Sequence, residues 1–219
     1  MRALIIKVVE IDAICDIKEE TADSAVPEFG GKKYASYQQM LEREELDAVH
    51  VAVPTFAHYD AEVLAAQKGI HLFLEKPIAQ DVGNPGNDTT SQYNFLCWVS
   101  NTVYWTYIQQ AKSFLQGRTV GMAIIHRWGG LPGTPWWQVI AQSGGQLVEQ
   151  TTHQIDLLRY LVGEVEEVHA YYALRTLNGV EYLDVPNVYA LTLKFENSTI
   201  GALSVPVVLR EKGVGIAVL

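Results

Sequence analysis

Long apolar runs and cysteine are both scarce in this sequence of 219 residues. No apolar run approaches the roughly 20 residues that a membrane-spanning helix needs, so no membrane partner is expected. The two cysteines, Cys15 and Cys97, are spaced for neither a disulfide framework nor a metal site, which makes a reducing cytoplasm the expected location. Charged residues interrupt the apolar start of the chain, so a signal peptide is not expected. The histidines are spread over several predicted elements without ligand spacing, and we expect no metal.

Positive charge is also in short supply, with 16 Lys and Arg against 25 Asp and Glu and a formal net charge of −9. Binding to nucleic-acid phosphates needs clustered Lys and Arg, so nucleic acid is excluded as the main partner. Hydrophobic residues make up 48% of the chain and charged residues 19%. This composition is typical of a globular protein, and the length suits one large or two small domains.

A third absence concerns glycine, because the dinucleotide-binding motif G-x-G-x-x-G occurs nowhere in the sequence. Residues Glu10–Asp16 predict a strand that ends in an acid. In a dinucleotide-binding fold such an acid hydrogen-bonds the adenosine ribose, and it favours NAD over NADP. The segment Arg2–Val9 is typical of the tail of a preceding helix, so we expect the fold to lack its first strand and glycine loop. The alternative is that Asp16 only caps the helix starting near Lys18.

The most regular stretch is Asp47–Asp81, which predicts a strand, a helix and a second strand. Alternating valines form the first strand, and Gly69 ends the helix. The second apolar run, Ile70–Leu74, leads into Glu75-Lys76-Pro77. Strands joined by a helix are parallel, and ligands of such sheets bind beyond the carboxyl ends of the strands. Polar residues follow both strand ends: Thr55, His58, Glu75 and Lys76.

The other segments predict a helical scaffold and a second domain. Thr21–Glu45 is predicted to be helical around a turn at Phe29–Gly31, and three alternating runs after Val165 predict antiparallel strands. A loop rich in Gly, Pro and Trp follows a predicted strand at Val120–Trp128. Its residues Trp136 and Trp137 have flat faces that suit the C–H faces of a sugar ring. Alternatively, these tryptophans fill the core between the domains.

Gln146–Val162 predicts an amphipathic helix. Its apolar face comprises Leu147, Ile155, Leu158 and Val162, and its polar face comprises Glu149, His153, Asp156 and Tyr160. Glu149 and His153 are one turn apart, about 6 Å along the axis, so both can act on one small ligand. Histidine titrates near neutral pH and suits proton transfer, a task that a partly buried Lys76 could share. The alternative for a lone helical histidine is an ordinary surface or core residue.

Two blocks of the sequence resemble the Gfo/Idh/MocA oxidoreductases. VAVPTFAH followed by Glu75-Lys76-Pro77 is similar to the strand, turn and E-K-P signature of that family, and Gly144–Asp156 is similar to its motif G-G-x-x-x-D/E-x-x-x-H-x-x-D. The resemblance implies an α/β fold in which residues 1–100 form an incomplete Rossmann-like parallel-sheet domain. Residues 101–219 would then form an incomplete α+β domain with an open antiparallel sheet, because relatives continue for roughly another hundred residues.

The resemblance also implies a role for particular residues in hydride transfer between NAD and a sugar or polyol hydroxyl. Lys76 and His153 would be catalytic, with Glu149 orienting the substrate or His153. Cofactor contacts would come from Asp16, Pro54, Thr55, His58, Glu75 and Lys76. Substrate contacts would come from Trp136, Trp137 and Asp156. The open sheet implies a homo-oligomer.

The stretch 82–107 departs from the family pattern, because Gly and Pro stand where the family has a helix. One hypothesis is a compensated pair of reading-frame shifts, and the alternative is a diverged surface loop. Asn94–Tyr107 fits either an aromatic strand or a helix. With the glycine loop missing, a non-catalytic fragment or a ligand-sensing relative stays open as an alternative to an active enzyme.

Overall fold

The structure is a computed structural model, and it describes residues 9–80, 96–98, 101–175, 177 and 179–207. These residues divide into two units. The first takes its described residues from Met1–Val53, His58–Glu75 and Gly83–Cys97, and the second from Pro54–Ala57, Lys76–Val82 and Trp98–Leu219. The predicted division into residues 1–100 and 101–219 stays a prediction.

The first unit contains two small sheets with helices between their strands. In chain order its elements are β1 (Ala13–Cys15), α1 (Glu19–Phe29), β2 (Lys32–Tyr34), α2 (Tyr37–Arg43), β3 (Ala48–Val51), α3 (Ala61–Gln67) and β4 (His71–Leu74). A further strand, β5 (Leu96–Trp98), begins in this unit. One sheet pairs β1 with β2 in parallel, and the other has the strand order β3-β4-β5. The parallel-sheet class expected from the sequence is confirmed.

The predicted strand–helix–strand unit is present, with β3 and β4 parallel. Its strands form because alternate apolar side chains, among them Val51, Leu72 and Leu74, are buried. The helix α3 buries Ala65 and ends at Gln67, and Gly69 follows its C-cap residue with a φ of 73° that suits glycine. The amide of Glu75 donates to the carbonyl of Val51 at 3.0 Å, which extends the pairing to the edge of the predicted site.

The prediction that Thr21–Glu45 is helical throughout is wrong at β2. The turn at Phe29–Gly31 is where the sequence predicts it, but a three-residue strand follows and only then does α2 begin. This strand has no apolar alternation, because Lys32 and Lys33 occupy two of its three positions. Their ammonium groups are paired instead with the carboxylates of Glu44, Glu19 and Asp23.

Two other sequence predictions fall largely outside the described residues. Residues 1–8, which include most of the predicted helix tail, and residues 81–95 are not among them. Within the atypical stretch, the described part has β5, a 3-10 turn at Asn101–Tyr104 and the start of a helix. Both kinds of element left open for Asn94–Tyr107 therefore occur there.

The second unit is a four-stranded sheet with helices on one face. Its elements are α4 (Thr106–Leu115), β6 (Met122–His126), α5 (Ile140–Ser143), α6 (Gly145–Glu149), α7 (Thr152–Leu161), β7 (Val165–Ala173), β8 (Val188–Phe195) and β9 (Ile200–Ser204). The strand order is β6-β9-β8-β7. The three strands predicted after Val165 are antiparallel as expected, and β6 adds to β9 in parallel, so the sheet is mixed.

One face of this sheet packs against the helices and the other is open. On the helix side, β8 buries Tyr189, Leu191, Leu193 and Phe195, which contact Leu147, Ile155 and Val162 of the predicted apolar helix face or pack beside them. On the open side, Ile124, Tyr171 and Ile200 are 59%, 74% and 46% exposed. The second unit therefore presents an apolar sheet surface.

The single helix predicted over Gln146–Val162 is divided into α6 and α7. The amides of Gln150 and Thr151 both donate to the carbonyl of Gln146, at 2.9 and 3.1 Å, and the Thr151 hydroxyl donates to it at 3.3 Å. One carbonyl therefore ends α6, and α7 restarts immediately afterwards. Among the described residues, no helix has the length and apolar character needed to cross a membrane.

Candidate active site

The turn after β3 and the segment after β4 are tied together by a buried hydroxyl. The side chain of Thr55 donates to the carbonyl of Pro77 at 3.1 Å, and Thr55 is only 8% exposed. The amide of Ala57 donates back to Pro54 at 2.8 Å, which closes the turn. These contacts hold the backbone on the carboxyl side of Lys76, so the lysine side chain starts from a fixed position.

The structure brings together two of the residues predicted to be catalytic, although they are 73 positions apart. The ammonium of Lys76 donates to the backbone carbonyl of Glu149 at 2.7 Å and to its carboxylate oxygen Oε2 at 3.3 Å. The side chains are 24% and 6% exposed. Because water screens such a pair only weakly, the carboxylate sets the position of the ammonium strongly.

The third catalytic candidate lies on the next turn of the same helical region. His153 is the second residue of α7, four positions after Glu149, and it is half-buried. Asp156, predicted to contact substrate, lies farther along α7 in a recess lined by Val103, Arg159, Tyr160 and Glu164. The polar face of the predicted helix is therefore buried at Glu149 and half-buried at His153, so this part of it is not an ordinary solvent-exposed face.

In the first unit, Asp16 and His58 have protein partners of their own. The carboxylate of Asp16 accepts from the amide of Lys18 at 2.7 Å, and Lys18, the N-cap residue of α1, makes no side-chain capping bond. The ring of His58 is buried, with Nδ1 against the carboxylate of Glu62 and Nε2 at 3.2 Å from the carbonyl of Val53. The roles of both residues toward a cofactor stay predictions.

Glu75, another predicted cofactor contact, faces a histidine on β3. Its Oε1 lies 3.8 Å from Nε2 of His50, whose ring meets Phe73 edge to face. Burial lowers the pKa of His50, and the Glu75 carboxylate opposes that shift. Glu75 therefore favours the charged form of the ring, while burial favours the neutral form more strongly.

The two tryptophans predicted to stack on a sugar have different surroundings. Trp137 is 3% exposed and packs with Leu177, Val185 and Val207, so it fills the core of the second unit. Trp136 is only partly buried, and its ring centroid lies 6.2 Å from that of Phe56. Of the pair, Trp136 is the one with an accessible aromatic surface.

The sequence patterns did not single out Arg127, which follows β6 and reaches α6. Its Nη2 donates to Oε1 of Gln150 at 2.9 Å, and burial lowers the pKa of its guanidinium. The available signal was a run of three glutamines at four-residue spacing, Gln146, Gln150 and Gln154. That spacing places polar side chains on one helix face next to the Glu149–His153 stripe.

Metal chemistry receives no support from the part of the chain that is described. Within it, no three His, Cys, Asp or Glu side chains are grouped in a way that could hold a metal ion. The fold and the site define a two-unit α/β protein. One unit is a parallel-sheet unit whose strand ends carry polar groups, and the other is an α+β unit that holds the Lys76–Glu149 pair.

Comparison with known proteins gives the family. Residues 3–85 match the oxidoreductase family with an NAD-binding Rossmann fold, and residues 108–218 match the GFO/IDH/MocA C-terminal domain. The chain belongs to the GFO/IDH/MocA oxidoreductase family. The resemblance inferred from the two sequence blocks is confirmed.

Individual relatives agree with this assignment. The chain is 25% identical to the levoglucosan dehydrogenase of Pseudarthrobacter phenanthrenivorans over 87% of this chain and 57% of that protein. It is 29% identical to the myo-inositol 2-dehydrogenase of Thermotoga maritima over 72% of this chain and 49% of that protein. The crystal structure of the WlbA dehydrogenase from Bordetella pertussis in complex with NADH and UDP-GlcNAcA has a TM-score of 0.82 at 25% identity, with 92% of this chain and 60% of that chain covered. The chain thus spans about half the length of these curated relatives.

The Lys76–Glu149 contact predicts a strong energetic coupling. In a double-mutant cycle of Lys76→Met and Glu149→Gln, we expect the two changes to be non-additive by about 1–3 kcal/mol, because both groups are largely desolvated. The measurement is the free energy of unfolding in urea for the parent, both single variants and the double variant.

The matched control is Arg159 and Glu164, whose Nη2–Oε2 distance of 2.7 Å is shorter but whose side chains are 49% and 54% exposed. A cycle of Arg159→Met and Glu164→Gln is expected to give less than about 1 kcal/mol. Equal coupling in the two cycles would contradict the assigned importance of burial at Glu149.

Proposed function

We propose that the protein transfers a hydride between a nicotinamide cofactor and a hydroxyl-bearing carbon of a sugar or polyol. The observation that carries this proposal is the ammonium of Lys76, which donates to the backbone carbonyl and to Oε2 of Glu149, with His153 four residues after Glu149. Family membership supports it, as do relatives that act on levoglucosan and myo-inositol.

Two groups of the chain suit the cofactor. Asp16 stands at the carboxyl end of β1, where an acid hydrogen-bonds ribose hydroxyls, and this preference is the basis for proposing NAD over NADP. Lys76 follows β4 and would lie beside the nicotinamide. The sequence contains no G-x-G-x-x-G motif, so we assign no residue to the pyrophosphate. When bound, NAD supplies the acceptor for the hydride that leaves the alcohol carbon.

The chain's own side chains would transfer the proton of the reacting hydroxyl. His153 would take the hydroxyl proton while the C–H bond gives up its hydride, because imidazole titrates near neutral pH and can both accept and return a proton. Lys76 would donate a hydrogen bond to the same oxygen and stabilise its developing negative charge. Glu149 would hold the ammonium in position. Trp136 and Asp156 would contact other parts of the substrate.

Substitution of His153 tests this assignment. We expect His153→Ala to lower kcat for the oxidation of levoglucosan or myo-inositol with NAD by about 10²–10⁴-fold, the usual loss when a general base is removed. The assay is the rise in nicotinamide absorbance, and affinity for NADH should stay within a few-fold of the parent value.

His71→Ala is the matched control, because His71 lies on the exposed side of β4. It should leave kcat unchanged. Equal turnover by the parent and His153→Ala would overturn the assignment, and a parent that responds to ligands without turnover would favour a ligand-sensing relative.

We further propose that the protein is a homo-oligomer, and a cytoplasmic one on the grounds of its cysteine usage. The support is the open face of the second unit's sheet, defined by Met122, Ile124, Tyr171 and Ile200. Large contiguous apolar surfaces are rarely left in water by monomeric proteins. A second copy would bury this face against its own.

Charge placed on that face is expected to separate the copies. Ile124→Glu should convert the parent oligomer to the mass of one chain, because pairing would bury the new carboxylates. Light scattering after size exclusion gives the mass. Ile17→Glu is the control, since Ile17 is 88% exposed in the first unit. A monomeric parent, or an Ile124→Glu variant that stays associated, would contradict the proposal.

A further inference from the structure

Three polar side chains converge on the space beside the α-carbon of Gly129. A β-carbon built on Gly129 would lie 3.4 Å from Oε1 of Gln150, 3.8 Å from Nη1 of Arg127 and 3.9 Å from Nε2 of Gln146. All four residues belong to the second unit. The missing side chain at Gly129 therefore leaves room for a small group surrounded by one acceptor and two donors. We refer to these residues as the Gly129 cluster.

The floor of the Gly129 cluster is a buried amide with unused hydrogen-bonding capacity. Gln146 has no exposed surface, and neither its Oε1 nor its Nε2 has a hydrogen-bond partner among the described residues. Burying an unpaired amide is unfavourable, and most buried polar groups in native proteins are paired. Neighbouring buried polar groups follow that rule, since Ser143 and Thr151 both have partners.

The guanidinium of Arg127 borders the Gly129 cluster, and only part of its hydrogen-bond donating capacity is taken up by other described residues. Arg127 donates to Gln150 through Nη2, while its buried Nε has no partner in the described part of the chain. Arg127 forms no ion pair there, although the chain has nine more acidic than basic residues (25 against 16). The atom of Arg127 nearest to the space is Nη1, at 3.8 Å from the β-carbon built on Gly129, and it is the donor that a group there would meet.

The arrangement of donors and acceptor selects one kind of group. A hydroxyl accepts two hydrogen bonds and donates one, so it can accept from Arg127 and Gln146 and donate to the second lone pair of Oε1 of Gln150. A carboxylate has no proton to give to Gln150. We propose that the Gly129 cluster binds a hydroxyl of the substrate other than the one that reacts, and this rests on the proposed function.

The position of the Gly129 cluster relates it to the reacting groups. Glu149, which holds Lys76, is the last residue of α6, with Gln146 earlier in the same helix and Gln150 as its C-cap residue. Gln150, Arg127 and Gly129 are only half-buried, so the space is approached from their side while Gln146 closes it. A ligand engaged at both places needs at least two hydroxyls. The cluster therefore selects polyhydroxylated substrates over simple alcohols.

A methyl group at Gly129 is the direct test. The contacts of that β-carbon, at 3.4–3.9 Å, are ordinary van der Waals distances, and the φ of Gly129 is not in the left-handed region, so Gly129→Ala should fold. The matched control is Gly133→Ala in the same loop, where an added β-carbon meets nothing within 4 Å. Equal melting temperatures would show that both variants keep the fold.

The readout is the side-chain amide signals of Gln146 and Gln150 in nitrogen–proton NMR spectra, titrated with myo-inositol with and without NADH. We expect both signals to shift saturably in the parent and in Gly133→Ala, and at least tenfold weaker binding in Gly129→Ala. Acetate and ethanol are expected to leave the signals in place.

Three outcomes would overturn the proposal. The first is that myo-inositol leaves the signals unshifted, which would make the Gly129 cluster a water site at most. The second is that Gly129→Ala binds myo-inositol as tightly as the parent does. The third is that acetate shifts the signals instead, which would indicate an anion site. Failure of the proposed function is seen separately, as loss of NADH binding and turnover while the myo-inositol shifts persist.

Discussion

The hydrogen bonds from the ammonium of Lys76 to Glu149 are the contact on which the candidate site depends. Within the second unit they join the segment Lys76–Pro77 to α6, although the two are distant in sequence. Two features place the ammonium of Lys76 at Glu149. The hydroxyl of Thr55 holds the backbone at Pro77, and α6 ends where the carbonyl of Gln146 accepts from the amides of Gln150 and Thr151. The same helix end sets where α7 begins, and therefore where His153 stands.

Around this contact the second unit buries several polar side chains. None is more than 5% exposed, although apolar side chains would often be more stabilising at buried positions: Glu149, Gln146, Ser143 and Thr151. Ser143 and Thr151 are satisfied by backbone groups, so they belong to the framework. The side-chain amide of Gln146 has no such partner in the part of the chain that the structure describes, and this difference is the reason to assign it to a ligand.

Sequence periodicity predicted most of the fold correctly. The β3–α3–β4 unit was predictable because its apolar runs are bounded by Pro54 and Gly69, and the antiparallel strands β7, β8 and β9 because their apolar residues alternate. The short strand β2 was missed because it carries two lysines stabilised by ion pairs from other elements. The break at Gln150–Thr151 was missed because a carbonyl shared by two amides leaves no mark on a 3.6-residue pattern.

The candidate site was predictable only in part, for a similar reason. The residues Lys76, Glu149 and His153 stand in recognisable motifs, and the structure shows that Lys76 and Glu149 meet. The contributions of Arg127 and Gln146 depend on which face of β6 and α6 each side chain leaves, and on the absent side chain of Gly129. Tertiary packing alone decides those directions. Trp137 illustrates the converse, since an aromatic suited to a sugar is used in the core.

We propose that this chain binds a nicotinamide cofactor beside Lys76, and a fluorescence titration of the purified chain with NADH is the first experiment to perform. We expect saturable binding, weaker binding of NADPH because Asp16 disfavours a 2′-phosphate, and loss of the fluorescence change on Lys76→Met. A folded parent chain that gives no saturable change with either nucleotide would contradict it.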